Sequence, residues 1–257
     1  MRIINMGKFS GLLYREFYMM RKQIIVAFIS FAGSALLCTL ILLSIRFGNL
    51  SKVAEMVQID GEEAELMLAN MMEGAVFVAK LLPSIMCAMI PFAVTNLTNY
   101  DEDHRFRLFM KSSPLTPVRR SLVRSCTNLI CMVGGLALAI GYMFIVGLMT
   151  GEGLTYEDIS TLTGIFIFYT VFTLIAQLAV IYMHNQDKAM LLILAVAVVA
   201  VFIISRTMPK PEGEDDNPFG GLLRLSQDIF PFTPVIMIVG MALYFGVSVY
   251  LYQRREK

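Results

Sequence analysis

The run SCTNLICMVGGLALAIGYMFIVGLM, Ser125–Met149, contains no charged residue. An α-helix rises about 1.5 Å per residue and the hydrocarbon core of a bilayer is about 30 Å thick, so about 20 apolar residues in a row suffice to cross it. The run reads as a membrane-spanning helix. Working outward in both directions, runs of the same kind occupy Ile24–Ile45, Ala75–Leu97, Ile159–Met183, Ala189–Ser205 and Phe232–Tyr252. Ala189–Ser205 is the shortest and needs local thinning of the bilayer or burial among its neighbours. The pattern predicts an all-α polytopic membrane protein with six transmembrane helices, residues 1–257 forming one transmembrane domain. Composition agrees, because 57% of the chain is hydrophobic and only 16% charged, whereas soluble domains carry roughly a quarter charged residues.

Cytoplasmic loops retain Lys and Arg, so the charges orient the spans. With both termini inside, the inner segments hold Lys8, Arg15, Arg21 and Lys22, then Arg105, Arg107, Lys111, Arg119, Arg120 and Arg124, then Lys188 and a basic C-terminus. The outer loops hold Arg46, Lys52, Arg206, Lys210 and Arg224 but most of the acid, including Glu62, Glu63, Glu65, Glu73, Glu157, Asp158 and Glu212. This asymmetry predicts a multi-pass protein of the cytoplasmic membrane with both termini cytoplasmic. Charged residues ahead of the first apolar run argue against a cleavable signal peptide. Cys38, Cys87, Cys126 and Cys131 all fall within spans without a C-x-x-C pair and read as small packing residues.

Several segments flank the spans. KFSGLLYREFYMMRKQ, Lys8–Gln23, sets Phe9, Leu12, Leu13, Phe17 and Met20 on one helical face with Arg15 opposite, which predicts an elbow helix in the cytoplasmic interface. EEAELMLANMMEG, Glu62–Gly74, predicts an external amphipathic helix that caps the bundle or lines an exit vestibule. RTMPKPEGEDDNPFGG, Arg206–Gly221, is loop chemistry.

Polar groups within spans are candidates for function by default. Lys80, Asn96 and Gln177 are possible pathway residues. The alternatives are that Lys80 snorkels or meets a nearby carboxylate, and that Asn96, Asn128 and Gln177 bond between helices. Pro83 and Pro91 predict a kinked second span. Gly135-x-x-x-Ala139 and Ala137-x-x-x-Gly141 let another helix come close.

Catalytic signatures are missing from the sequence: there is no H-E-x-x-H, no G-x-S-x-G and no G-x-x-x-x-G-K-[ST]. His104 and His184 lie in short inner connections and suggest no metal site. The sequence therefore predicts no enzyme activity, no cofactor and no nucleic-acid partner for this chain.

The densest mixed charge, YDEDHRFRLFMKSSPLTPVRR, Tyr100–Arg120, lies between the second and third spans. Asp101, Glu102 and Asp103 suit a helix start and Lys111 its end. Phe106, Phe109 and Met110 form an apolar stripe, Pro114 breaks the element, and Thr116-Pro117 reads as the cap and first residue of the next helix. The predicted element is a short amphipathic helix parallel to the membrane, its stripe buried in lipid or in a partner protein.

GLLYREFYMMRKQ before the first span, the inner loop E-D-x-x-x-R-x-x-x-x-S-S-P-L-T-P-x-R-R and the closing SVYLYQRREK together resemble the membrane subunits of ABC-2 type transporters, in particular small permeases of Gram-positive bacteria. The family's loop tryptophan has no counterpart here; Phe106 and Phe109 stand nearest. The resemblance implies that Asp101–Ser113 is a coupling helix seated in a separate ATPase subunit. Phe106, Phe109 and Met110 would then pack, Arg105, Arg107 and Lys111 would pair, and Pro114 would end the helix. It further implies a complex of two permeases, copies or paralogues, with two ATPases that hold ATP and Mg, exporting amphipathic or antimicrobial-type peptides or lipophilic compounds. A secondary carrier or channel, and a non-transporting scaffold or sensor subunit, are the other function classes.

Overall fold

A computed structural model describes residues 6–47, 61–103, 116–151, 153–183, 186–207 and 228–256. The described chain is all helical: α1 (Met6–Phe47), α2 (Gly61–Asp103), α3 (Pro117–Thr150), α4 (Tyr156–Met183), α5 (Gln186–Thr207), a single 3-10 turn (Phe230–Phe232) and α6 (Thr233–Glu256). Among the described residues five stretches are long and apolar enough to cross a membrane: Phe9–Ser44, Gly74–Thr98, Pro117–Thr150, Tyr156–Met183 and Phe230–Arg254. The helix that holds the shortest predicted run, α5, forms but is not among the five.

Two expected boundaries are absent. The elbow is not a separate element, because α1 runs unbroken for 42 residues from Met6 through the first span. Nothing between Phe17 and Ile24 breaks a helix, and Glu16 and Met20 are buried against the bundle instead of facing a lipid interface. Likewise the external helix and the second span are one helix of 43 residues, which continues through Pro83 and Pro91. The Thr116-Pro117 start of α3 is as expected, although the Thr116 hydroxyl makes no capping bond. Gly151 closes α3 at φ 79°, a left-handed conformation that suits glycine, with its N–H bonded to Gly147 O at 3.0 Å.

Half of the apolar window of α2 and of α4 is buried, against 11% for α1, so α2 and α4 form the centre and α1 lies at the periphery. Two apolar clusters join α1, α2 and α3: Met20, Ala27, Val94, Leu97 and Cys131 toward one end, and Cys38, Leu42, Val76, Tyr142 and Val146 toward the other. A third, built on Cys87, Ala88, Ala139, Met143, Leu162 and Phe166, brings in α4. All four cysteines are free, and all but the half-buried Cys126 are buried, as packing residues should be.

Gly135 is closely approached by another helix. A Cβ there would stand 3.0 Å from Cys87 O and 3.2 Å from the Phe166 ring. Cys87 is four residues before Pro91, whose missing N–H leaves that carbonyl without its usual helical partner. The glycine thus seats α3 against the unpaired rung of α2. Gly134 and Gly141, by contrast, face open space.

Contacts at the two ends fix the helix directions. At one end Tyr156 at the start of α4 meets Phe230 with ring centroids 5.3 Å apart. At the other, the Arg120 guanidinium lies 4.3 Å from the Tyr252 ring near the end of α6. Midway, Tyr244 of α6 reaches Gln177 of α4. The helices α4 and α6 therefore run in the same direction.

Candidate functional site

The polar groups of the described bundle are concentrated at three depths. At the first, residues from α1, α2 and α3 converge. Asp101 accepts from Arg15 Nη2 at 2.8 Å on one oxygen and from Arg124 Nη2 at 2.6 Å on the other, while Arg120 Nη2 stands 3.9 Å away. Glu16 accepts from Thr127 Oγ1 at 2.6 Å, and its other oxygen lies 3.3 Å from Arg124 Nε. That last contact is an ion pair without the alignment of a hydrogen bond, and Arg124 Nη1 has no hydrogen-bond partner among the described residues.

Burial makes this cluster energetically sensitive. The side chains of Asp101 and Arg124 are each 1% exposed. A buried charge is tolerable when paired and costly when its partner is removed, by about 3–5 kcal/mol. Burial pushes the Asp101 carboxyl up, but Arg124, Arg15 and Arg120 more than offset it and hold the group below the usual carboxylate range. A cavity of about 10 Å³ opens beside the cluster, lined by Leu12, Arg15, Glu16, Asp101, Arg120, Val123 and Arg124.

The middle depth holds a closed amide knot. Asn128 Nδ2 donates to Gln177 Oε1 at 3.0 Å and Gln177 Nε2 returns the bond to Asn128 Oδ1 at 2.9 Å. Tyr244 Oη donates to the same Gln177 oxygen at 2.7 Å. One residue each from α3, α4 and α6 is tied, and all three side chains are buried. On α4 the hydroxyls of Thr170 and Thr173 bond back to the carbonyls four residues earlier, Phe166 O and Tyr169 O, each at 2.7 Å.

At the third depth Lys80 Nζ donates to Asp158 Oδ2 at 2.9 Å, joining α2 to α4. Asp158 is held by its own helix start: its N–H donates to Thr155 Oγ1 at 3.2 Å, and Thr155 N–H donates to Asp158 Oδ2 at 3.3 Å. This is the reciprocal capping arrangement that begins a helix.

Of the predicted pathway residues, Lys80 is ion-paired and Gln177 is saturated within the knot, while Asn96 is half-buried on α2. Of the predicted elbow residues, Arg15 enters the ionic cluster, Leu12 lines its cavity, Phe17 packs on the apolar cluster around Met20, and Leu13 is half-buried. Asp101, Glu102 and Asp103 are the last residues of α2 and not the first of a new helix. Ion pairs with two other helices keep Asp101 in the bundle. Arg105, Phe106, Arg107, Phe109, Met110, Lys111 and Pro114 lie outside the described residues, as do both histidines.

Helix length and hydropathy decide the class. The chain is a helical, multi-pass membrane protein. Protein-family models, curated proteins and solved structures all give no match to it.

Sequence reasoning missed Glu16, Arg124 and Asp158 as tie points. Asp158 carried a readable signal in Thr155-x-x-Asp158, a capping pair. Glu16 had a weaker one, a carboxylate inside an otherwise basic and apolar segment. Arg124 had none, since it looked like one more cytoplasmic charge.

Proposed function

We propose that this chain is the permease subunit of an ATP-driven exporter, with six crossings, both termini cytoplasmic, and ATP hydrolysed by a separate subunit. The observation that carries the reading is the ionic cluster. Asp101 stands just before residues 104–115 and Arg120 and Arg124 just after, so the two ends of the predicted coupling segment are joined to each other and to α1. A push from a partner on that segment would reach three helices as one body. The parallel course of α4 and α6 supports a sixth crossing, because the chain between them has to return from one end of the bundle to the other, and α5 lies in that interval.

The interior favours passage between chains over passage through one. The amide knot is closed and Lys80 is neutralised, which leaves a carrier no charged path among the described residues of a single copy. Two copies or paralogues, with an amphipathic peptide as cargo, fit that arrangement. The test is copurification. An ATPase subunit is expected to come down with the chain, to be lost on Phe106→Asp or Phe109→Asp, and to be stimulated by amphipathic peptides in the intact complex. A chain that purifies without an ATPase from its native membrane, in mild detergent, would remove the reading.

A further inference from the structure

The outer face of α1 carries two cations that are not ion-paired. Glu16, Met20 and Ala27 mark the side of α1 that is buried against the bundle. On the opposite side Tyr14, Tyr18, Arg21, Lys22 and Ile25 are all exposed. The Tyr14 and Tyr18 rings stack with centroids 6.2 Å apart, and the Arg21 guanidinium carbon lies 4.0 Å from the centre of the Tyr18 ring. Contact with a ring face occupies no N–H in a hydrogen bond, and among the described residues neither Arg21 nor Lys22 has a carboxylate partner. From Phe17 to its end at Phe47 the helix contains no acidic residue.

Depth turns this into a constraint. Exposed tyrosines gather where membrane meets water. Tyr100 adjoins Asp101, Tyr182 stands five residues past Gln177 and Tyr250 six past Tyr244, while Arg124 stands four before Asn128; all three exposed tyrosines therefore reach the level of the ionic cluster. Glu16 meets Arg124 at that level. Arg21 and Lys22 follow five and six residues later, about 7–9 Å further toward the middle of the bundle along the axis of α1. Cations left among acyl chains at that depth are costly, so headgroups have to be drawn in beside them. Side chains on a helix lean toward its N-terminus, here toward the interface, and Arg21 does so over Tyr18.

Charge selects the group. Guanidinium and ammonium groups both take phosphate oxygens, and two of them without an acid favour a headgroup that brings no compensating amine. A second copy packed through this face would instead set like charges against one another. We propose that the exposed face of α1 binds the phosphate of an anionic phospholipid, held by Arg21 and Lys22, with Tyr18 as the platform under the guanidinium.

The chain has no tryptophan, so Ile29→Trp, about two turns beyond Arg21 and exposed to lipid, reports on the acyl chains of whatever lies there. The full chain is reconstituted in vesicles of dioleoylphosphatidylcholine, of which a rising share is replaced by phosphatidylglycerol or phosphatidylcholine brominated on its acyl chains, and quenching of the indole is followed. Brominated phosphatidylglycerol should reach half-quenching at a share lower by about threefold or more. Arg21→Gln with Lys22→Gln should make the two lipids equal, and Arg254→Gln, on α6, should keep the preference. All three residues are exposed, so these changes leave the core untouched. Equal quenching with the face intact, or a preference that survives the paired change, would overturn the site. Equal loss in Arg254→Gln would also overturn it, because net charge would then suffice. Weak quenching by both lipids would show a second copy on the face and overturn the lipid as its occupant.

Discussion

Arg124 shows what a single side chain can hold in this fold. It reaches Glu16 of α1 and Asp101 of α2 from α3, and so replaces solvent for two carboxylates at once. Substituting Asp101→Asn strands that charge, and we expect a loss of about 3–5 kcal/mol, readable as a lowered midpoint in a thermal or denaturant scan in detergent. The same residue sets an acid limit. Its native carboxyl is held below the ordinary range, so its contribution is complete above about pH 4, where the unfolded group is ionised, and fades as pH falls through the lower native value. Stability should therefore be flat in this respect from pH 7 to pH 5 and decline below about pH 4; Asp101→Asn should remove that part of the decline. Lys80→Met should separate α2 from α4 at the far end, and the charge-reversed pair Lys80→Asp with Asp158→Lys should recover part of what either single change loses. No recovery in that pair would show the bridge to be incidental.

Among the elements, α2 and α3 meet where the backbone allows it. Gly135→Ala places a Cβ 3.0 Å from Cys87 O, where a carbonyl and not a flexible side chain has to yield, so a cost of about 1–3 kcal/mol is expected. Gly141→Ala, on the same helix with open space around it, should be neutral or stabilising by up to about 1 kcal/mol, since alanine is the better helix former. A paired stability measurement of the two variants checks the packing, and equal effects would refute it. The elements themselves were largely readable from sequence, because lipid demands long uninterrupted apolar runs and the chain supplies them. The element boundaries were less so. Lys8–Gln23 and Glu62–Gly74 have amphipathic patterns that suit separate helices, yet no proline or positive-φ glycine divides them from the spans that follow, and helix propagation carries through. Asp101 was misread for a related reason. Its acidic neighbours suit a helix start, and the partners that keep it at a helix end come from residues 15 and 124, which no local window contains.

Across the whole molecule the direction of the helices is the decisive quantity. Single cysteines on a background cleared of the native four give the readout. An impermeant maleimide applied to intact cells should label Gly153→Cys and Lys210→Cys, while Arg107→Cys should react only after lysis. Protection of the cysteine at position 210 would mean that α5 does not cross and would overturn the sixth crossing. The candidate site was less legible than this layout because its three depths are made by groups far apart in the chain; Lys80, Asn128 and Gln177 announced themselves, as polar residues in apolar runs, and all three proved to be tie points between helices.

The seat of Gly135 on the Cys87 carbonyl gives α2 a fulcrum. One backbone hydrogen bond fewer holds the helix straight there, since Pro91 has no N–H to give the Cys87 carbonyl. Cys87 stands about 10 Å along the axis from Lys80 and about 21 Å from Asp101, so a rocking motion about that point would carry the Asp101 end about twice as far as the Lys80 end, and in the opposite sense.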